Sequence, residues 1–166
     1  LTWRMVGSMS GPLSGAIGEG ASDVVAFLIN GDDKIGEYAA SNPNGIRRYP
    51  YASHPLTYKN VTGAEVHNDG EIYAAAMWRL LELYQAAGYT RDDLLGDFVD
   101  GLLPTQPRPA FEHMRDGMLS VAPVARHCLI WRAFAAKGVG VGASGTVSRR
   151  GTVIIVESFQ VPVACQ

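Results

Sequence analysis

The sequence predicts a mainly helical fold of the α+β class with a small β element near the C-terminus. Two observations predict this class. Apolar residues recur at helical spacing in five segments, and one short β-branched run follows a glycine-rich stretch near the end of the chain. With 166 residues, 47% of them hydrophobic, the chain is long enough to bury a core. We therefore expect a single domain over residues 1–166.

The first predicted helix covers residues 14–29. It follows the Gly11-Pro12 turn, with Ser14 as its expected N-cap. Glu19 and Asp23 are one turn apart in this helix and share a face. Residues 30–66 contain prolines and two Asn-Gly turn signals, so we expect a long loop that lines a functional surface.

The second half of the chain carries the remaining predicted elements. Thr90 is an expected N-cap because acidic residues follow it in the first turn, and Pro109 is expected near the first position of its helix. A strand is predicted over residues 152–159 and pairs with residues 145–148. The four predicted helices cover residues 68–87, from Thr90 to before Pro104, residues 108–121 and residues 124–137, with Gly88 and Gly138 as stops.

Charge and hydropathy limit the possible partners. The formal net charge is −2, which leaves no basic excess for nucleic-acid binding. The longest apolar run, Val24–Ile29, is far too short to span a bilayer, and no charged-then-apolar leader opens the chain. We expect neither nucleic acid nor a membrane as a partner, and a soluble, mature or truncated segment.

The chain has two cysteines, Cys128 and Cys165. An even number permits one disulfide, which would close a loop of about 36 residues and stabilise the fold by roughly 3–4 kcal/mol. Two buried thiols are the alternative.

Glu19 and Asp23 are the first candidates for a functional site. A carboxylate can ligate a metal while a second carboxylate one turn away orients a histidine ligand. A solvated acidic helix face is the alternative.

His67 precedes a predicted helix and has Glu65, Asp69 and Glu71 close in sequence. We expect these carboxylates to raise the pKa of His67, so that the protonated ring donates a hydrogen bond to a developing oxyanion. An ordinary surface or capping histidine is the alternative. The long loop also carries Arg47 and Arg48, which either bind a substrate carbonyl or carboxylate or are solvated.

Four segments together resemble the C-terminal half of the fungalysin family of secreted, thermolysin-like zinc metalloendopeptidases. They occur in the family's order and extend the resemblance from residue 1 to about residue 142. The matching segments are residues 15–23, 45–51, 65–74 and 128–135.

The resemblance implies a role for each candidate residue. Glu19 matches the family's distal zinc ligand, and Asp23 matches the carboxylate that orients a zinc-binding histidine. His67 matches the histidine that stabilises the tetrahedral intermediate, and Arg47 or Arg48 resembles the contact to the substrate carbonyl.

The chain also departs from the family pattern, since no intact H-E-x-x-H motif is present. The best register puts Trp3 at the second zinc-binding histidine, so that residues 1–13 are a remnant of the active-site helix region. Thr62 replaces the Asp that steadies the functional histidine in related enzymes, which leaves this role to Glu65, to Asp69 or to no residue.

The resemblance thus predicts the C-terminal lobe of a secreted zinc metalloendopeptidase, in which residues 30–66 line the cleft and residues 138–166 form a glycine-rich loop and β tail. Zinc is the implied cofactor, and a peptide or protein is the implied substrate. The isolated chain is expected to be inactive unless a separate N-terminal lobe supplies the H-E-x-x-H helix. Two alternatives are a non-catalytic peptide-binding, inhibitory or defence protein on this scaffold, and a hydrolase that uses the paired carboxylates in unrelated chemistry.

Overall fold

The computed structural model describes residues 1–166, and the predicted mainly helical class is confirmed. The helices are α1 (Thr2–Val6), α2 (Pro12–Asn30), α3 (Glu37–Ala40), α4 (Val66–Ala86), α5 (Arg91–Leu102), α6 (Phe111–Val121) and α7 (Val124–Ala136). Two strands, β1 (Ser144–Val147) and β2 (Val153–Val156), form the small β element. Single 3₁₀ turns lie at Tyr51–Ser53, Tyr58–Asn60 and Val163–Cys165.

Helix α4 is the centre of the fold and packs most extensively on α2, then on α7. The apolar residues of these helices belong to one buried cluster of 34 side chains, which also includes residues of α5 and α6. Helix α2 has 19 residues and is long and apolar enough to cross a membrane, but 56% of its apolar stretch is buried inside this protein. It is therefore accounted for as a core helix.

Two glycines set the distance between α2 and α4. A Cβ atom added at Gly70 would lie 2.6 Å from the carbonyl oxygen of Ala16 and 2.9 Å from the amide nitrogen of Gly20, and one added at Gly20 would collide with the carbonyl oxygen of Gly70. The two backbones are thus in direct contact at the crossing. This contact brings the residues beside it, on both helices, close together.

Several predicted helix ends are wrong by a few residues. Helix α2 begins at Pro12 rather than at an N-cap formed by Ser14, whose buried hydroxyl instead donates to the carbonyl oxygen of Pro109 at 3.0 Å. Pro109 lies outside α6, because the N-cap is Ala110, whose amide donates to His113 Nδ1 at 2.9 Å. Helix α4 begins two residues before the predicted start, at Val66.

Other predicted ends are confirmed. Thr90 caps α5, and its hydroxyl accepts the amide hydrogen of Asp93 at 3.1 Å. Gly88 follows α4 with φ +84, and Gly138 follows α7 with φ +81. This left-handed region suits glycine, which has no Cβ to clash with its own backbone.

The C-terminal segment is a β-hairpin followed by a covalently attached tail. Strands β1 and β2 pair antiparallel, with Gly145 opposite Ile155 and Val147 opposite Val153. The predicted disulfide is confirmed: Cys128 on α7 is bonded to Cys165, 37 positions later.

Candidate active site

Glu19 and His67 lie together at the α2–α4 crossing. Glu19 Oε2 is 3.2 Å from His67 Nε2, and the two side chains are 39% and 52% exposed. Glu19 directly precedes the crossing glycine of α2, and His67 lies one helical turn before Gly70 of α4. The backbone contact at these glycines therefore positions the carboxylate and the imidazole on the same solvent-facing surface.

Glu65 holds the other side of the His67 ring. Its Oε1 is 2.6 Å from His67 Nδ1, while its Oε2 accepts the amide hydrogen of Asn68 at 2.7 Å and so caps α4. These two hydrogen bonds lower the pKa of Glu65 to about 2. In turn, the hydrogen bond that His67 donates to Glu65 and the negative charges of Glu19 and Glu65 raise the pKa of His67 above its ordinary value, in agreement with the expected direction.

Both ring nitrogens of His67 thus face carboxylate oxygens. A neutral imidazole has one N–H donor and one acceptor, whereas a protonated imidazole has two donors. Because carboxylates accept but do not donate, this arrangement favours the protonated ring.

The sequence left Glu65 and Asp69 as alternative partners of His67, and the geometry distinguishes them. Asp69 is buried and points away from His67 toward the preceding loop, where it accepts the amide hydrogens of Thr62 at 3.1 Å and Gly63 at 2.7 Å. Glu65 is therefore the carboxylate in contact with His67, and Asp69 anchors the loop that leads into α4.

Asp23 lies one turn beyond Glu19 and is buried. Its two oxygens accept hydrogen bonds from Arg47 Nε at 2.7 Å and Arg47 Nη2 at 3.0 Å, and the Tyr51 hydroxyl donates to the same carboxylate. Burial, together with the charge of Asp23, raises the pKa of Tyr51 far above its usual range. Burial alone would lower the pKa of Arg47, but the hydrogen bond and charge of Asp23 outweigh it and raise that pKa. Arg47 is thus a fixed cation.

Glu71 repeats this arrangement on α4, one turn beyond His67. It accepts the backbone amide of Arg48 and the Arg48 Nε, each at 3.0 Å, and its Oε2 is 3.2 Å from Nε2 of the buried His54. Burial would raise the pKa of Glu71, but the hydrogen bonds of His54 and Arg48 outweigh it and lower that pKa.

Sequence reasoning did not identify Tyr51, His54 or Glu71 as members of this cluster. Only Glu71 carried a usable signal, because it is four residues after His67 just as Asp23 is four residues after Glu19. The contacts of Tyr51 and His54 are tertiary, and no local pattern predicts them.

The residues form two layers. The outer layer is the exposed Glu19–His67–Glu65 group, and the inner layer consists of the ion pairs Asp23–Arg47 and Glu71–Arg48, which attach the loop around residue 47 to both helices. An exposed carboxylate can ligate a cation, and an adjacent imidazolium can donate to an oxyanion. Within residues 1–166, no group of three His, Cys, Asp or Glu side chains is placed to hold a metal ion.

The family model of the fungalysin metallopeptidases (M36) matches residues 1–143. The chain belongs to the fungalysin family. The family relationship agrees with the four ordered segments identified in the sequence, and it implies a metal.

Three of the relatives are extracellular metalloproteinases of fungi. An extracellular metalloproteinase of Aspergillus terreus is 31% identical over 93% of this chain. One of Neosartorya fischeri is 33% identical over 90% of it, and extracellular metalloproteinase 4 of Arthroderma otae is 30% identical over 92%. These matches cover 28–29% of the relatives' own length, so the chain corresponds to less than a third of each. Their extracellular names, together with the disulfide, confirm the predicted secreted setting.

Proposed function

We propose that residues 1–166 are the C-terminal lobe of a secreted zinc metalloendopeptidase, with Glu19 as a zinc ligand and His67 as the hydrogen-bond donor to the reaction's oxyanion. The observation that carries this proposal is the Glu19–His67 pair, in which the nearest oxygen and nitrogen are 3.2 Å apart. A ligand of the metal and a donor to the intermediate formed next to the metal have to be neighbours, and this pair satisfies that requirement.

This chain supplies only part of a zinc site. Glu19 offers one half-exposed carboxylate, while a catalytic zinc site takes three protein ligands and keeps one open position. We therefore propose that the other ligands come from an N-terminal lobe outside residues 1–166. Zinc bound in such a site lowers the pKa of water and polarises a carbonyl oxygen.

His67 acts in this proposal as a hydrogen-bond donor whose ring carries a positive charge before the substrate binds. Glu65 fixes the ring orientation through Nδ1 and favours the protonated ring, so that Nε2–H, which faces Glu19 in this structure, can turn to an oxyanion once Glu19 binds zinc. Hydrogen bonds to a developing oxyanion are more stabilising than those to the ground-state carbonyl, which is the basis of catalysis by such donors.

Arg47 is the better candidate for the substrate-carbonyl contact. Its Nε and Nη2 are held by Asp23, while Nη1 makes no protein hydrogen bond. Its charge is also close enough to His67 to oppose the rise in the pKa of that ring. Arg48 donates through Nη2 to the carbonyl of Asn68 at 2.5 Å, which ties it to α4. In this proposal Asp23 positions Arg47. In the complete enzyme it also positions a zinc-binding histidine.

The test compares this chain with a longer polypeptide from the same open reading frame that includes an upstream H-E-x-x-H segment. We expect the longer protein to bind zinc stoichiometrically and to cleave peptides in a chelator-sensitive reaction, and residues 1–166 alone to do neither. Glu19→Gln should reduce zinc content and activity in the longer protein. Glu82→Gln is the matched control, since Glu82 is a glutamate of similar exposure on α4.

Three results would contradict the proposal. Full chelator-sensitive activity in residues 1–166 alone would show that no second lobe is needed. Unchanged zinc content in the longer Glu19→Gln variant would remove the proposed ligand. If the longer protein neither binds zinc nor cleaves peptides, the non-catalytic peptide-binding alternative is supported instead.

A further inference from the structure

A second concave region lies away from the Glu19–His67 pair. It is a groove of about 550 Å³ between the start of α2, the segment before α6 and strand β1. We call it the hairpin groove. Its walls are formed by residues Pro12–Ser14, Gln106–Arg108, His113 and Gly145–Val147.

One wall of the hairpin groove is a strand edge that is only partly paired. The Gly145 amide donates to Glu112 at 2.9 Å rather than to β2, and the Ser148 amide donates across the hairpin to Thr152 at 2.9 Å. In an antiparallel pair, alternate residues direct their backbone groups to the partner strand and away from it. The backbone groups of Val147 and the carbonyl of Gly145 therefore point away from β2, and Val147 is 43% exposed. Such an edge can accept an extended peptide as a further strand.

Arg108 is the one charged residue that lines the hairpin groove. The Arg108 guanidinium forms no ion pair or hydrogen bond with other residues, and its backbone is held at φ +55 by a hydrogen bond from its amide to Ser8. His113 accepts the Ala110 amide through Nδ1, which places its ring hydrogen on Nε2. No Asp or Glu lines the groove. A carboxylate is therefore the complementary ligand group.

The hairpin groove and Glu19 both lie along α2. Ser14 in the groove wall precedes Glu19 by five residues, an axial rise of about 7.5 Å at 1.5 Å per residue, and the two side chains leave the helix in different directions. An extended chain covers this distance in two to three residues, at about 3.3 Å each.

We propose that the hairpin groove binds an extended, acidic segment of the peptide substrate, which adds to the free edge of β1 and pairs a carboxylate with Arg108. That this segment belongs to a substrate rests on the proposed peptidase function. The binding step itself needs no metal and no cleavage.

The test measures binding of fluorescent octapeptides to the chain by anisotropy. Two peptides are identical except for one Asp or Asn at a central position. We expect the Asp peptide to bind about tenfold more tightly, the effect of a charge-assisted hydrogen bond. Arg108→Gln should remove this preference, and Arg108→Glu should reverse it toward a Lys peptide. Arg150→Gln, which removes the same charge from the hairpin turn outside the groove, should keep the preference.

The strand-addition step has its own control. One peptide is methylated on the backbone amides of its odd positions, and a second on those of its even positions. Because only one of these two sets of amides faces β1, we expect one methylated peptide to bind and the other not to bind. The proposal is overturned if no peptide binds, if both methylated sets bind equally, or if Arg150→Gln weakens the Asp preference as much as Arg108→Gln. In the longer protein that carries the upstream H-E-x-x-H segment, loss of these effects alongside intact Glu19-dependent cleavage would refute the groove alone, whereas peptide binding without any cleavage would refute only the peptidase function.

Discussion

Gly20 of α2 and Gly70 of α4 touch through their backbones, and no side chain larger than hydrogen fits at either position. Glu19 precedes the first of these glycines, and His67 lies one turn before the second. The geometry of the candidate site therefore depends on two residues that carry no chemistry of their own.

Gly20→Ala should lower the free energy of unfolding by about 1–3 kcal/mol, because the added methyl group forces the two helices apart. Gly18→Ala is the matched control on the same helix, where nothing lies within 4 Å of the added Cβ. Since alanine is the better helix former, Gly18→Ala should stabilise by about 0.5–1 kcal/mol. Urea unfolding of both variants measures the difference, and equal effects would contradict the role of the crossing.

Glu71→Gln should make the free energy of unfolding less dependent on pH in the acid range. The pKa of Glu71 in the folded protein is below its ordinary value of 4.5, so its contribution is complete above pH 4.5 and is lost as the pH falls through the folded pKa. The free energy of unfolding of the variant should be about 1–3 kcal/mol lower than that of the unaltered protein at pH 7, and the difference should be smaller at pH 3. Unfolding curves between pH 3 and 7 measure this. Glu37→Gln should leave the profile unchanged, since the Glu37 side chain makes no hydrogen bond or ion pair.

Asp23→Asn should be much more damaging than loss of a surface ion pair. Asp23 and Arg47 are 6% and 11% exposed, so the variant leaves a nearly buried guanidinium without its counter-charge, at a cost of about 3 kcal/mol. The pair Arg79–Glu82 is 47% and 37% exposed, and Glu82→Gln should cost less than 1 kcal/mol, as is usual for exposed pairs (about 0–1 kcal/mol). Thermal unfolding at neutral pH distinguishes the two. Similar losses would mean that the Asp23–Arg47 pair is as weak as a surface pair.

Replacing both disulfide cysteines, as Cys128→Ala with Cys165→Ala, should lower the free energy of unfolding by about 3–4 kcal/mol, because the unfolded chain regains the entropy of an open loop. Reduction of the unaltered protein should give the same loss. A loss near zero in both experiments would indicate that the tail opens independently of the helical core.

Most of the helical framework could be predicted from the sequence, because buried stripes at helical spacing and stop signals such as Gly88 and Gly138 are local features. The failures are tertiary. Ser14 has the chemistry of an N-cap, but its hydroxyl bonds to Pro109, 95 residues away. The helix propensity of a local segment cannot predict a partner so distant in sequence.

The candidate site shows the same division. The motif resemblance identified Glu19 and His67, and the structure brings them together. The sequence did not show that Arg47 and Arg48 are held by Asp23 and Glu71, because ion pairs between a loop and two helices depend on the folded arrangement.

The Cys128–Cys165 bond also determines what a backbone cut would do. The exposed turn Arg149–Gly151 lies between the two cysteines, and its basic, glycine-containing sequence is open to attack by extracellular peptidases. A nick there leaves both fragments joined through sulfur. The clipped protein then migrates as one band on non-reducing electrophoresis and keeps its C-terminal tail on α7.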